Sequence, residues 1–128
     1  MTLSHRQSYE LTDRVIGAAI EVHREIGPGM LESTYSEVLC IELSDRRIPF
    51  EVQPFLPVTY KERKLKTFYR PDFVIANQII VELKAVEKLI AVHRSQLLTY
   101  LKHANLNVGL LFNFNSVVLK EGLWRAVR

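Results

Sequence analysis

The chain has 128 residues, 48% of them apolar and 24% charged, with a formal charge of +3. That length sets the expectation of a single domain over residues 1–128. The lone Cys40 excludes an intrachain disulfide or a cysteine-type zinc site, no apolar run is long enough to span a membrane, and +3 is too small to mark a dedicated nucleic-acid binder.

Residues 1–10 lack the apolar core and basic start of a leader, so a cytoplasmic location is expected. Leu11, Val15, Ala18, Ala19, Val22 and Ile26 recur at three- and four-residue steps, which predicts an amphipathic helix. Gly27-Pro28 ends it, since glycine suits a left-handed cap and proline cannot continue the helix. A second helix is expected over 31–46, with Leu31, Tyr35, Val38, Leu39 and Leu43 inward and Cys40 as a small core hydrophobe. Residues 50–60 mix β-branched and aromatic residues with Pro54 and Pro57, which reads as an edge or bulged strand. A charged turn at 61–64 leads to strands over 68–76 and 79–84, joined at Asn77-Gln78. A helix over 89–103, a buried strand over 108–114 and a short hairpin over 117–127, turning at Glu121-Gly122, complete the chain. The order α-α-β-β-β-α-β-β calls for an α/β arrangement with helices covering a sheet.

The stretch 70–84 carries the chemistry. Side chains alternate along a strand, so Glu82 and Lys84 share one face while Val81 and Leu83 share the other. Asp72 lies on the partner strand. A three-residue loop centred on Asn77 pairs position 72 with 82, whereas a two-residue loop shifts the pairing by one. Either register brings two carboxylates together at the ends of apolar strands, where α/β sites usually form. Buried carboxylates repel one another, and a divalent cation such as Mg²⁺ (or Mn²⁺) resolves that conflict. Lys84 would then stabilise charge on a phosphate or position a water. The plain alternative is a solvated cross-strand pair of opposite charges. Arg70, taken to share the face of Asp72, either contacts phosphate or pairs with Asp72. His23 and His93 are expected to be packed or solvent-facing rather than metal ligands. Trp124 is expected in the core or at an interface.

Pro71-Asp72 and Glu82-Leu83-Lys84 resemble the signature of the PD-(D/E)xK nuclease superfamily. Gly29-Met30-Leu31-Glu32-Ser33-Thr34-Tyr35, the lead-in over 21–29, and Val92-His93 before the run Gln96 to Leu101 resemble the small prokaryotic GxxExxY branch of it. The resemblance covers nearly the whole chain. It implies a restriction-endonuclease-like core in α-β-β-β-α-β order, a central mixed sheet flanked by helices, with an extra N-terminal helix and additional C-terminal strands. It implies that Glu32 joins Asp72 and Glu82 at the metal, with the Leu83 carbonyl as a further ligand. It also implies that Gln96 and Tyr100 stand beside the site and touch nucleic acid or order Lys84. Without the resemblance, Glu32 reads as an acid favouring a helix N-terminus, and Tyr100 as buried beside an exposed Gln96.

The resulting expectation is a Mg²⁺- or Mn²⁺-dependent phosphodiesterase acting on DNA, with RNA as the second choice of substrate. Its alternative is a catalytically silent nuclease fold that grips nucleic acid or a protein. The chain's small size leaves little material for a separate arm that clamps DNA. A homodimer, with the tail around Leu123 and Trp124 as its candidate interface, would supply two sites for two strands.

Overall fold

A computed structural model describes residues 4–128; residues 1–3, part of the stretch read for a leader, lie outside the described residues. Helix α1 spans His5–Ile26 and begins earlier than its apolar stripe. Ser4 explains this: its hydroxyl accepts the Gln7 N–H at 3.2 Å while the Gln7 side chain accepts the Ser4 N–H at 3.0 Å, a reciprocal cap. The expected stripe is present, with Leu11, Val15, Ala18, Ala19 and Val22 buried, and Gly27 closes the helix at φ 68°. Helix α2 spans Glu32–Asp45 and buries Tyr35, Leu39 and Leu43.

The sheet has five strands: β1 (Phe50–Val52), β4 (Phe73–Ile75), β5 (Ile79–Lys84), β6 (Val108–Asn113) and β7 (Leu123–Val127), in the order β1-β4-β5-β6-β7. The β5–β6 pair is parallel and the others antiparallel, so the sheet is mixed. Helix α3, Ala91–Ala104, makes the crossover that parallel neighbours require. Alternation along β5 feeds two cores. Ile79, Val81 and Leu83 join α1 and α2 on one face, while Ile80 joins Leu97, Tyr100 and Leu101 of α3 on the other. This is the expected sheet between helical layers.

Three expectations change. The strand foreseen over 50–60 is two strands, β1 and β2 (Leu56–Tyr60), and that foreseen over 68–76 is likewise split between β3 (Arg63–Tyr69) and β4. Proline is the cause: Pro54 falls in the first gap and Pro71 in the second, and neither can donate to a ladder. The strands β2 and β3 pair only with each other, as a hairpin inserted between β1 and β4. It turns at Lys61 and Glu62, both at positive φ, so Arg63 and Lys64 belong to the strand rather than to the turn. The tail, finally, is not a hairpin. Leu119 is buried against the α1 side of the core, residues Leu119–Gly122 form a 3-10 turn, and β7 pairs with β6 instead.

Candidate functional site

The β4–β5 hairpin pairs Ile75 with Ile79, Val74 with Ile80 and Phe73 with Val81. Three residues thus form the loop, and Ala76 and Asn77 take the positive φ that the turn needs. In the same register Asp72 faces Glu82, just beyond the last ladder pair. There the carboxylates replace the ladder. The Asp72 N–H donates to Glu82 Oε2 at 2.5 Å, and the Leu83 N–H donates to Asp72 Oδ2 at 2.8 Å. On the other side of Asp72, its carbonyl accepts the Gln53 N–H at 3.0 Å, which closes the root of the inserted hairpin.

Glu82 is only 5% exposed, the one buried carboxylate among the described residues. Burial, and then the adjacent Asp72 charge, push its carboxyl up to about 8. Burial also raises Asp72, against the pull of the Leu83 N–H. Lys84 draws both carboxyls back toward ionisation, and Glu32 pushes both up. These four charged groups therefore share one electrostatic neighbourhood. Lys84 itself is half-buried and enters no ion pair among the described residues.

Glu32 stands across a cleft of about 480 Å³ from the pair, lined also by Ser33, Glu37, Gln53 and Leu83. The described residues contain no cluster of three His, Cys, Asp or Glu side chains able to hold a metal ion. Asp72 and Glu82 nevertheless fit a divalent cation. They form an adjacent, desolvated, mutually repelling pair, and Mg²⁺ sites commonly use one or two carboxylates with water and substrate phosphate filling the shell.

A family model of the PD-(D/E)XK nuclease superfamily matches residues 9–126. The chain belongs to the PD-(D/E)XK nuclease superfamily. No curated protein and no solved structure matched it. Nucleases of this superfamily generally use divalent metals. The two segments whose sequence resembles the superfamily signature, Pro71-Asp72 and Glu82-Leu83-Lys84, meet at the end of the β4–β5 hairpin.

The remaining residues divide. Tyr100 is buried on α3, and its hydroxyl is pushed up to about 12, first by burial and then by the Glu82 and Asp72 charges, so it does stand beside the pair. Gln96, one turn earlier, is exposed, and neither residue hydrogen-bonds Lys84 among the described residues. Arg70 is not paired with Asp72. Pro71 breaks the strand between them, and the Arg70 guanidinium donates to the Gln53 carbonyl at 3.0 Å and lies near the Phe55 and Phe68 rings. His23 donates to the Ser116 carbonyl at 2.7 Å, and His93 Nδ1 accepts the Ile90 N–H at the start of α3. Each histidine thus bonds to the backbone through one ring nitrogen. Trp124 packs half-buried in the α3-side core, with Arg94 over its ring. Cys40 is half-buried against the other core, and burial raises its thiol.

The supporting roles of two residues escaped the sequence reading, which had placed Tyr35 only on the inner face of α2 and in the Gly29–Tyr35 motif. Tyr35 stacks on Phe114 with ring centres 4.5 Å apart, donates to the Gly27 carbonyl at 2.6 Å and accepts the Met30 N–H at 3.2 Å. It thereby clamps the loop that launches Glu32 on α2. Asn113 is buried at the end of β6 and bonds both the N–H and the carbonyl of Val86, which fixes the chain just after Lys84. A polar residue inside the apolar run 108–114 was the available signal for it.

Proposed function

We propose that this chain is a divalent-metal-dependent nuclease that hydrolyses phosphodiester bonds in DNA, with RNA as the alternative substrate. The observation that carries the reading is the carboxylate pair: Glu82, buried and raised to about 8, in hydrogen-bond contact with Asp72 at the end of the sheet. A buried acid beside a half-buried one weakens a fold unless a cation or a proton joins them. Asp72, Glu82 and the Leu83 carbonyl would hold Mg²⁺ or Mn²⁺, with Glu32 approaching from across the cleft. When bound, the ion supplies Lewis-acid stabilisation of the phosphate and a more acidic water.

The chain's own groups do the rest. Lys84 emerges from the face that bears Glu82, free of an ion-pair partner, and its ammonium would stabilise the growing charge on a phosphate oxygen or orient the attacking water. Tyr100 closes the pair from the α3 side and keeps water from the buried carboxyls. Gln96, exposed one turn away, would touch the nucleic acid. The loop, glutamate and clamping tyrosine at Gly29, Glu32 and Tyr35 support a place in the GxxExxY branch. A homodimer through β7, an edge strand, would give two sites for two strands.

Calorimetric titration of Mg²⁺ and Mn²⁺ into the metal-free protein tests the reading. The wild type should bind, and Asp72→Ala and Glu82→Ala should each abolish binding while keeping wild-type circular dichroism. Wild type that binds neither ion, with or without a DNA strand present, would sink it.

A further inference from the structure

The β2–β3 hairpin together with the flanking Arg70 holds more net positive charge than the whole chain. Within residues 55–70, Lys61, Arg63, Lys64, Lys66 and Arg70 face a single acid, Glu62, for a net +4. The chain totals +3, so everything outside this segment nets −1. All six side chains are exposed. Modest overall charge therefore conceals a concentrated cationic hairpin, in a chain whose small size suggested little material for a separate arm.

The arm also exposes aromatic rings. Tyr60 is 62% exposed, Phe55 51% and Phe68 47%. Phe55 and Phe68 lie 5.0 Å apart, with the Arg70 guanidinium 5.9 Å and 5.4 Å from their centres. Exposed aromatics rimmed by cations mark an interaction surface rather than a core. The root is anchored: Leu56 and Tyr69 pack on α3, with Tyr69 5.2 Å from the Tyr100 ring. The arm's last cation, Arg70, lies two residues from Asp72, and both bond to Gln53.

We infer that the β2–β3 hairpin is an arm that grips a single-stranded stretch of nucleic acid and leads it to the Asp72–Glu82 pair. Cations along the strands follow the phosphates, and Phe55, Phe68 and Tyr60 offer their faces to bases. A duplex hides its base faces by stacking, so exposed rings find faces to stack on only along an unpaired strand. The inference rests on the nuclease reading only for what happens at the carboxylates.

The test is fluorescence anisotropy in EDTA with a labelled oligothymidine and a blunt duplex of equal length, over a range of potassium chloride. The single strand should bind more tightly, with log affinity falling against log salt at a slope of about −3 for these cations. K64E/K66E should flatten that slope by about 1.5 and weaken binding at least roughly tenfold. F68A should weaken binding roughly tenfold and leave the slope unchanged. Should F68A disturb the hairpin by circular dichroism, F55A makes the same test. Tighter binding of the duplex, hairpin variants that bind like wild type, or no binding at all would each overturn the arm. Because EDTA excludes cleavage and metal, a failure here leaves the metal titration untouched, and a failed metal titration leaves this result standing.

Discussion

Replacing Glu82 with glutamine removes the most costly charge in the molecule without removing its shape. In the folded protein the Glu82 carboxyl is raised from an ordinary 4.5 to about 8, first by burial and then by the neighbouring Asp72 charge. A folded-state value above the unfolded one means that the folded state binds the proton more tightly. Stability is then full below about pH 4.5 and is lost as pH rises toward 8. At 1.36 kcal/mol per unit, the whole shift is worth roughly 5 kcal/mol, an upper bound because Asp72 shares the titration. Glutamine can still accept the Asp72 N–H and adds a donor toward the Asp72 carboxylate. Metal-free E82Q should therefore exceed wild type in stability above pH 8 by roughly 2–5 kcal/mol, and the gap should shrink toward pH 5. Urea unfolding of both proteins across that range, in EDTA, measures it, and the difference cancels every group they share. Equal loss of stability in the two proteins from pH 5 to pH 9 would refute the buried, repelled acid. Adding Mg²⁺ at pH 8 should raise the wild type and not E82Q, since binding to the native state alone stabilises it.

Lys84→Met should keep Mg²⁺ binding in calorimetry yet lower the cleavage rate by roughly 100-fold or more, since its ammonium acts on developing charge. Tyr35→Phe keeps the stack on Phe114 but deletes the bonds to Gly27 and Met30; urea unfolding should show a loss of about 1–2 kcal/mol. Gly109→Ala places a Cβ 2.8 Å from the buried Leu97 side chain, and the same assay should show a loss of about 1–3 kcal/mol from overpacking. Asn113→Ala strands the Val86 N–H and carbonyl; hydrogen exchange at Val86 should quicken, with a stability cost of about 1–3 kcal/mol.

Local pattern alone determined much of this protein. The α1 stripe, the Gly27-Pro28 stop and the alternation that puts Glu82 and Lys84 on one face of β5 are periodicities of 3.6 and 2 written into neighbouring residues. That Asp72 and Glu82 would meet was legible for the same reason, since ten residues of hairpin separate them; which of the two possible registers they take was set by the three-residue loop centred on Asn77. Tertiary structure decided what depends on distant partners. Nothing near Leu119 in the chain says that it would enter the α1-side core and send β7 back along β6 rather than into a hairpin of its own. Pro54 and Pro71 announced breaks in pairing, but not that β2 and β3 would leave the sheet together as a charged hairpin. Nor could spacing show how deeply Glu82 is buried, since that depth is made by α3 and by β6, segments that follow it in sequence and meet it only in the fold.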